Sequence, residues 1–101
     1  MKAPYYAVIF TNVQTENLEG YAEMADLMEQ LAQQQPGYLG FEHARNELAI
    51  TISYWQTLED IAHWKAQLDH QQAQHLGRQQ WYQWYTVRIC KVEREYGFEK
   101  P

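Results

Sequence analysis

Three of the four histidines, His63, His70 and His75, and three of the four tryptophans, Trp64, Trp81 and Trp84, fall between residues 63 and 85 of the chain. Imidazole can bind a metal, ligate haem iron or carry protons near neutral pH, and indole can stack on a planar ligand. His63 and His70 are seven positions apart and His75 is five further on, so no pair has the four-residue spacing of a helical zinc site, and HExxH is missing. No metal is expected. On a continuous helix Trp64, Leu68, Gln71 and His75 share a stripe at steps of four, three and four, turning a tryptophan and a histidine toward one space. The alternative leaves Trp64 in the core and His75 at the surface. Trp81, Tyr82, Trp84 and Tyr85 follow, either roofing a pocket for a planar ligand or plugging the sheet end or a dimer seam.

Other chemical devices are absent: there is no Walker loop, GxGxxG or GxSxG, so nothing indicates a nucleotide cofactor bound in the usual way. Glu16, Glu19, Glu23, Asp26 and Glu29 read as the solvated face of a helix. Glu42 and Asp69 are better placed to enter a pocket, but neither has a visible partner, and no acid and base pair is assigned. His43 reads as a structural histidine. Cys90 is the single cysteine, which rules out an internal disulfide, and its place in a strand suggests a small buried hydrophobe.

With 101 residues the chain is expected to form one domain over 1–101, with a polar tail from about residue 97. Apolar residues make up 46% and charged residues 21%, ordinary for a folded protein. A net charge of −5 and scattered basic residues argue against nucleic acid as a partner. The first apolar run, 5–10, is far shorter than the ~20 residues that span a bilayer. The cytoplasm is the expected location.

The elements that must position these residues follow from periodicity. YYAVIFTN (5–12) reads as a strand with Tyr6, Val8 and Phe10 on one face and Tyr5, Ala7 and Ile9 on the other. Apolar positions from Tyr21 to Ala32 recur at helical steps, predicting a helix over about 19–34 that QQPG stops. YLGFEHAR (38–45) and LAITISYW (48–55) form a hairpin across Asn46 and Glu47. In the second of these strands Leu48, Ile50, Ile52 and Tyr54 read as the core face, and Ala49, Thr51, Ser53 and Trp55 as the other. Thr57 and Asp60 resemble a capping box for a helix from Leu58, Gly77 suggests a break, and TVRICKVERE (86–95) is the last strand.

Strand, helix, strand, strand, helix, strand is the split βαβ order, predicting an α+β, ferredoxin-like domain: a four-stranded antiparallel sheet with both helices on one side. The other face, carrying Tyr5, Ala7, Ile9 and Trp55 or their alternates, needs cover. A second copy packed on a two-fold axis supplies it most simply.

QQPGYLGFE after an amphipathic helix, ISYWQTLEDIAHWK across the second strand-to-helix junction, and the later GRQQWYQWY and VRICKVEREYGF together resemble the antibiotic biosynthesis monooxygenase superfamily. The resemblance covers roughly residues 5 to 98. It implies a dimeric α/β barrel and a pocket between sheet and helices in each protomer. It also implies either oxidation of phenols or quinols with molecular oxygen and no metal or flavin, or haem degradation. Trp64 matches the family's pocket tryptophan, and His75 falls near the axial ligand of the haem-degrading branch. That branch also uses an asparagine in strand one, whereas here Asn12 is expected at the strand's end and Phe10 at the pocket position. The leading expectation is a monooxygenase with no resident cofactor acting on a small aromatic or quinol-like metabolite. Trp64 and His75 are its catalytic candidates, and Phe10, Tyr54, Leu68, Trp81 and Tyr85 are candidates for contact with substrate. Haem binding, or a dimeric module that binds a small ligand without turnover, are the alternatives.

Overall fold

The computed structural model describes residues 1–70 and 80–101. Strand β1 spans Tyr5–Gln14, helix α1 Tyr21–Gln33, β2 Tyr38–Arg45, β3 Ala49–Trp55, α2 Leu58–His70 and β4 Tyr82–Val92. The strands lie in the order β2-β3-β1-β4, with every neighbouring pair antiparallel. This is the expected α+β ferredoxin-like architecture. Among the described residues no helix is long and apolar enough to cross a membrane.

Local chemistry sets the element ends. Gly20, at a φ of 78°, begins α1, and Pro36 with Gly37, at a φ of 79°, turns the chain from α1 into β2. A Cβ at Gly37 would overlap the Asp60 carboxylate, so glycine also permits the start of α2 to approach. Thr57 Oγ1 accepts from the Asp60 amide at 3.0 Å and donates to Asp60 Oδ2 at 2.8 Å, fixing that helix start. Arg45 pairs with Ala49, which makes the hairpin loop three residues, one longer than expected. β4 begins at Tyr82 instead of residue 86, so the aromatic run 82–85 is strand, and a register irregularity opposite Val13 and Gln14 brings Tyr82 and Tyr85 to the same side of the sheet.

The core lies between the sheet and both helices. Trp55, fully buried, stacks on Trp64 with ring centres 6.0 Å apart and meets the edge of Tyr38 at 5.7 Å. Ala32, Ile61, Met28, Leu31, Tyr6 and Val8 close around them. Because Tyr6 pairs with Trp55, Val8 with Ser53 and Phe10 with Thr51, the helix-covered face of β3 is Ala49, Thr51, Ser53 and Trp55. The expected assignment of the two faces is therefore reversed: Ile50, Ile52 and Tyr54 sit with Ala7 and Ile9 on the face that no helix covers. Cys90, paired with Ala7 on that same face, is exposed and not buried as expected.

Candidate functional site

The reversal has a consequence for chemistry. Ala49, Thr51 and Ser53 are small, and beneath two helices they leave space that larger side chains would fill. A cavity of about 550 Å³ occupies it, within the range of small-molecule pockets. Its sheet wall is built by Val8, Phe10 and Asn12 of β1, Phe41 and His43 of β2, and Thr51 and Ser53 of β3. Tyr82, Tyr85, Val87 and Ile89 of β4 continue that wall. Helix α1 contributes Tyr21, Met24 and Met28, and α2 contributes Ile61, Trp64, Lys65 and Leu68.

The aromatic residues form a connected wall. Phe10 lies 5.2 Å from both Tyr82 and Tyr85, and Tyr21 lies 5.5 Å from Trp81 and 6.2 Å from Tyr82, centre to centre. Trp81 is held rigidly: its Nε1 donates to the Glu19 carbonyl at 2.9 Å, and its own carbonyl accepts from the Thr15 amide at 2.8 Å. Burial raises the Tyr82 phenol far above its ordinary value, and the neighbouring hydroxyl of Tyr21 adds to the shift. Tyr82 therefore stays protonated, a hydrogen-bonding group and not a base, throughout the physiological range.

One polar group stands out. Asn12, 3% exposed, lies on the cavity wall, and its Oδ1 has no hydrogen-bond partner among the described residues. A buried acceptor left unpaired costs on the order of 1–3 kcal/mol, and ligand sites are where such a cost is commonly retained. Asn12, expected at the strand's end, lines the cavity together with Phe10, because β1 runs two residues further, to Gln14. Its alternation with Val8 and Phe10 was the available signal.

Of the residues singled out from sequence, Trp64, Phe10, Leu68, Trp81 and Tyr85 are brought together on the cavity wall. Tyr54 is not. It pairs with Ala7 and Gly40 on the uncovered face, where its hydroxyl donates to Glu42 Oε1 at 2.6 Å, so Glu42 also points away from the cavity. His75, with Gln71 and Gly77 of the proposed stripe and break, lies outside the described residues. His43, read as structural, lines the cavity instead. Among the described residues no group of three or more histidine, cysteine, aspartate or glutamate side chains is placed to hold a metal.

Sheet, helices and cavity define an α+β protein with a ligand-sized aromatic chamber between its layers. The antibiotic biosynthesis monooxygenase family profile matches residues 4–76, and the chain belongs to that family. It is similar to the uncharacterized protein YqjZ of Bacillus subtilis (strain 168), 46% identical over 99 residues that cover 96% of this chain and 87% of that one. Its fold is similar to that of a variant of SnoaB, a cofactor-independent oxygenase from Streptomyces nogalater. That match has a TM-score of 0.77 and 10% identity over 92% of this chain and 97% of the other. It is also similar to protein SO0527 from Shewanella oneidensis, with a TM-score of 0.75 and 7% identity over 90% and 93% of the two chains.

Proposed function

We propose that this protein is a monooxygenase that needs no resident cofactor and oxidises a small phenolic or quinol-like aromatic with molecular oxygen. The observation that carries the reading is a cavity walled by aromatic rings into which one unpaired buried amide, Asn12, is set. Family membership and the likeness of fold to SnoaB support it.

In this reading Trp64, Phe10 and Tyr82 hold the ring by stacking and edge contacts, and the bound ring displaces water from the apolar wall beside them. Asn12 accepts from the substrate hydroxyl and, once that hydroxyl is ionised, donates through Nδ2 to the oxyanion, favouring the electron-rich form. His43 is the described imidazole on the wall and takes the proton. The phenolate gives one electron to oxygen, the radical pair joins at a ring carbon bearing hydrogen, and loss of water leaves a quinone. One phenol and one oxygen molecule thus become one quinone and one water. The test is oxygen uptake across a panel of naphthols, hydroquinones and anthrones. Uptake above the spontaneous rate that disappears in folded Thr51→Phe, which fills the cavity floor, is expected. Uptake unaffected by filling the cavity would overturn the reading.

Haem binding is the second reading, favoured by Asn12 on the wall. The described walls fit haem poorly. Asp26 and Glu29 on the described wall face the propionates' own charge against a single Lys65. Haemin titration is expected to give no stoichiometric Soret band; a band that His75→Ala abolishes would displace the cofactor-free reading.

The working form in this proposal is a homodimer through the uncovered sheet face. Ile9 and Ile52 pair at the centre of one row across that face, with Glu42 beside Ile52 on β2 and Arg88 beside Ile9 on β4. A two-fold axis parallel to the strands brings Glu42 of each copy over Arg88 of the other and buries the isoleucines between them. Light scattering at micromolar concentration is expected to give twice the chain mass, and Ile9→Glu to halve it. A wild-type monomer would remove the dimer.

A further inference from the structure

Beside the aromatic cavity lies a smaller one of about 240 Å³, lined by Tyr21, His43, Ala44, Arg45, Ala49 and Thr51. Tyr21, His43 and Thr51 belong to the walls of both, so the two spaces adjoin at these side chains. The sheet register gives their relation. Arg45, Ala49 and Asn12 form one row across β2, β3 and β1, and the residue between the two polar ends is alanine. With strands ~4.8 Å apart, Arg45 and Asn12 stand roughly 10 Å from each other at the backbone, over a floor that carries no bulk.

The polar groups at the Arg45 end are incompletely used. Arg45 Nη1 donates to Gln14 Oε1 at 2.8 Å, which orients the guanidinium, while Gln14 Nε2 on that same amide is buried with no partner among the described residues. Gln14 does not line the small pocket, so the group presented to a ligand there is the oriented guanidinium, whose planar fork of donors suits a carboxylate. Asp26 and Glu29 border the large cavity but not this one, and among the described residues no carboxylate lines the small pocket.

We infer that the small pocket is a carboxylate subsite, and that the substrate is an aromatic with a phenolic oxygen at Asn12 and a carboxylate at Arg45, lying over the alanine between them. This rests on the aromatic cavity being the substrate site and adds the substrate's charge and its polarity along the row. Arg45 then acts through its charge as a specificity determinant remote from the reacting carbon, and Gln14 is a positioning residue that orients the guanidinium.

The experiment is calorimetric titration of the full chain with three probes: 2-naphthol, 6-hydroxy-2-naphthoate and its neutral 6-hydroxy-2-naphthamide. The carboxylate is expected to bind roughly tenfold tighter than the amide, by an advantage that shrinks as salt rises because the pocket is open to solvent. In Arg45→Gln the carboxylate and amide should bind alike. Equal binding of the two by the wild type, or a preference that survives Arg45→Gln, overturns the subsite while 2-naphthol binding keeps the cavity reading intact. Failure of all three probes to bind overturns both.

Discussion

Replacing Asn12 by leucine separates a functional amide from a structural one, because the two roles predict opposite signs. Leucine keeps the heavy-atom count and the branching of asparagine at Cγ, and the larger volume of its two methyls at this 3%-exposed position falls beside a cavity that can take it. What disappears is a buried acceptor that has no partner among the described residues. Its desolvation is paid in the folded state without return, which makes the expected gain about 1–2 kcal/mol, within the range for unsatisfied groups. With a urea dependence of roughly 1.5 kcal/mol per molar for a chain of this size, the midpoint should rise by about 1 M, read at fixed protein concentration because association also shifts it. Oxygen uptake should fall at least tenfold in the same variant, since the group that orients the phenol is gone. A loss of stability of 1 kcal/mol or more would show that the amide holds the fold together. Unchanged uptake would show that it does not touch substrate. Either result refutes the assignment.

Three further outcomes follow from the same geometry. Trp55→Ala removes the fully buried ring that Trp64 and Tyr38 pack against, and should cost about 3–5 kcal/mol, enough to leave much of the chain unfolded by circular dichroism at 25 °C. Gly37→Ala should cost roughly 1–3 kcal/mol by urea denaturation. It places a side chain at a φ of 79° and against Asp60; Asn, which tolerates that φ, should relieve only the backbone part. The Tyr54 phenol is raised from 10.0 to about 12, first by its hydrogen bond to the Glu42 carboxylate and then by burial. Its unfolded form loses a proton at lower pH than its folded form, so this contribution is intact below pH 10 and is lost as pH rises toward 12. Tyr54→Phe should flatten the alkaline decline in stability over that interval, and an unchanged decline would contradict the assignment.

The element order was legible because each element announces itself locally: helical steps from Tyr21 to Ala32, a proline-glycine stop, and Thr57 with Asp60 at the second helix start. Which face of β3 meets the helices was not, since Ile50, Ile52 and Tyr54 look more like a core than Ala49, Thr51 and Ser53 do. The resolution lies in tertiary register: Trp55 pairs with Tyr6, and the space above the small residues is the cavity itself. Periodicity rewards bulk, so it passes over a face whose use is to be hollow. The same blind spot misplaced Tyr54 and left Asn12 and His43 without a role. The aromatic run from Trp81 fell outside the expected last strand because four large rings in five residues show no alternation, and the register irregularity opposite Val13 and Gln14 interrupts the one that β4 imposes.

Incorporation of heavy-isotope oxygen tests the central claim most directly. Metal-stripped protein is incubated with labelled oxygen gas and an accepted naphthol or anthrone, and the quinone and water are analysed by mass spectrometry. One labelled atom in each quinone and one in water, at a rate proportional to protein and lost in Thr51→Phe, is the predicted result. Quinone formed without label, or labelled quinone formed equally fast without the protein, would contradict it.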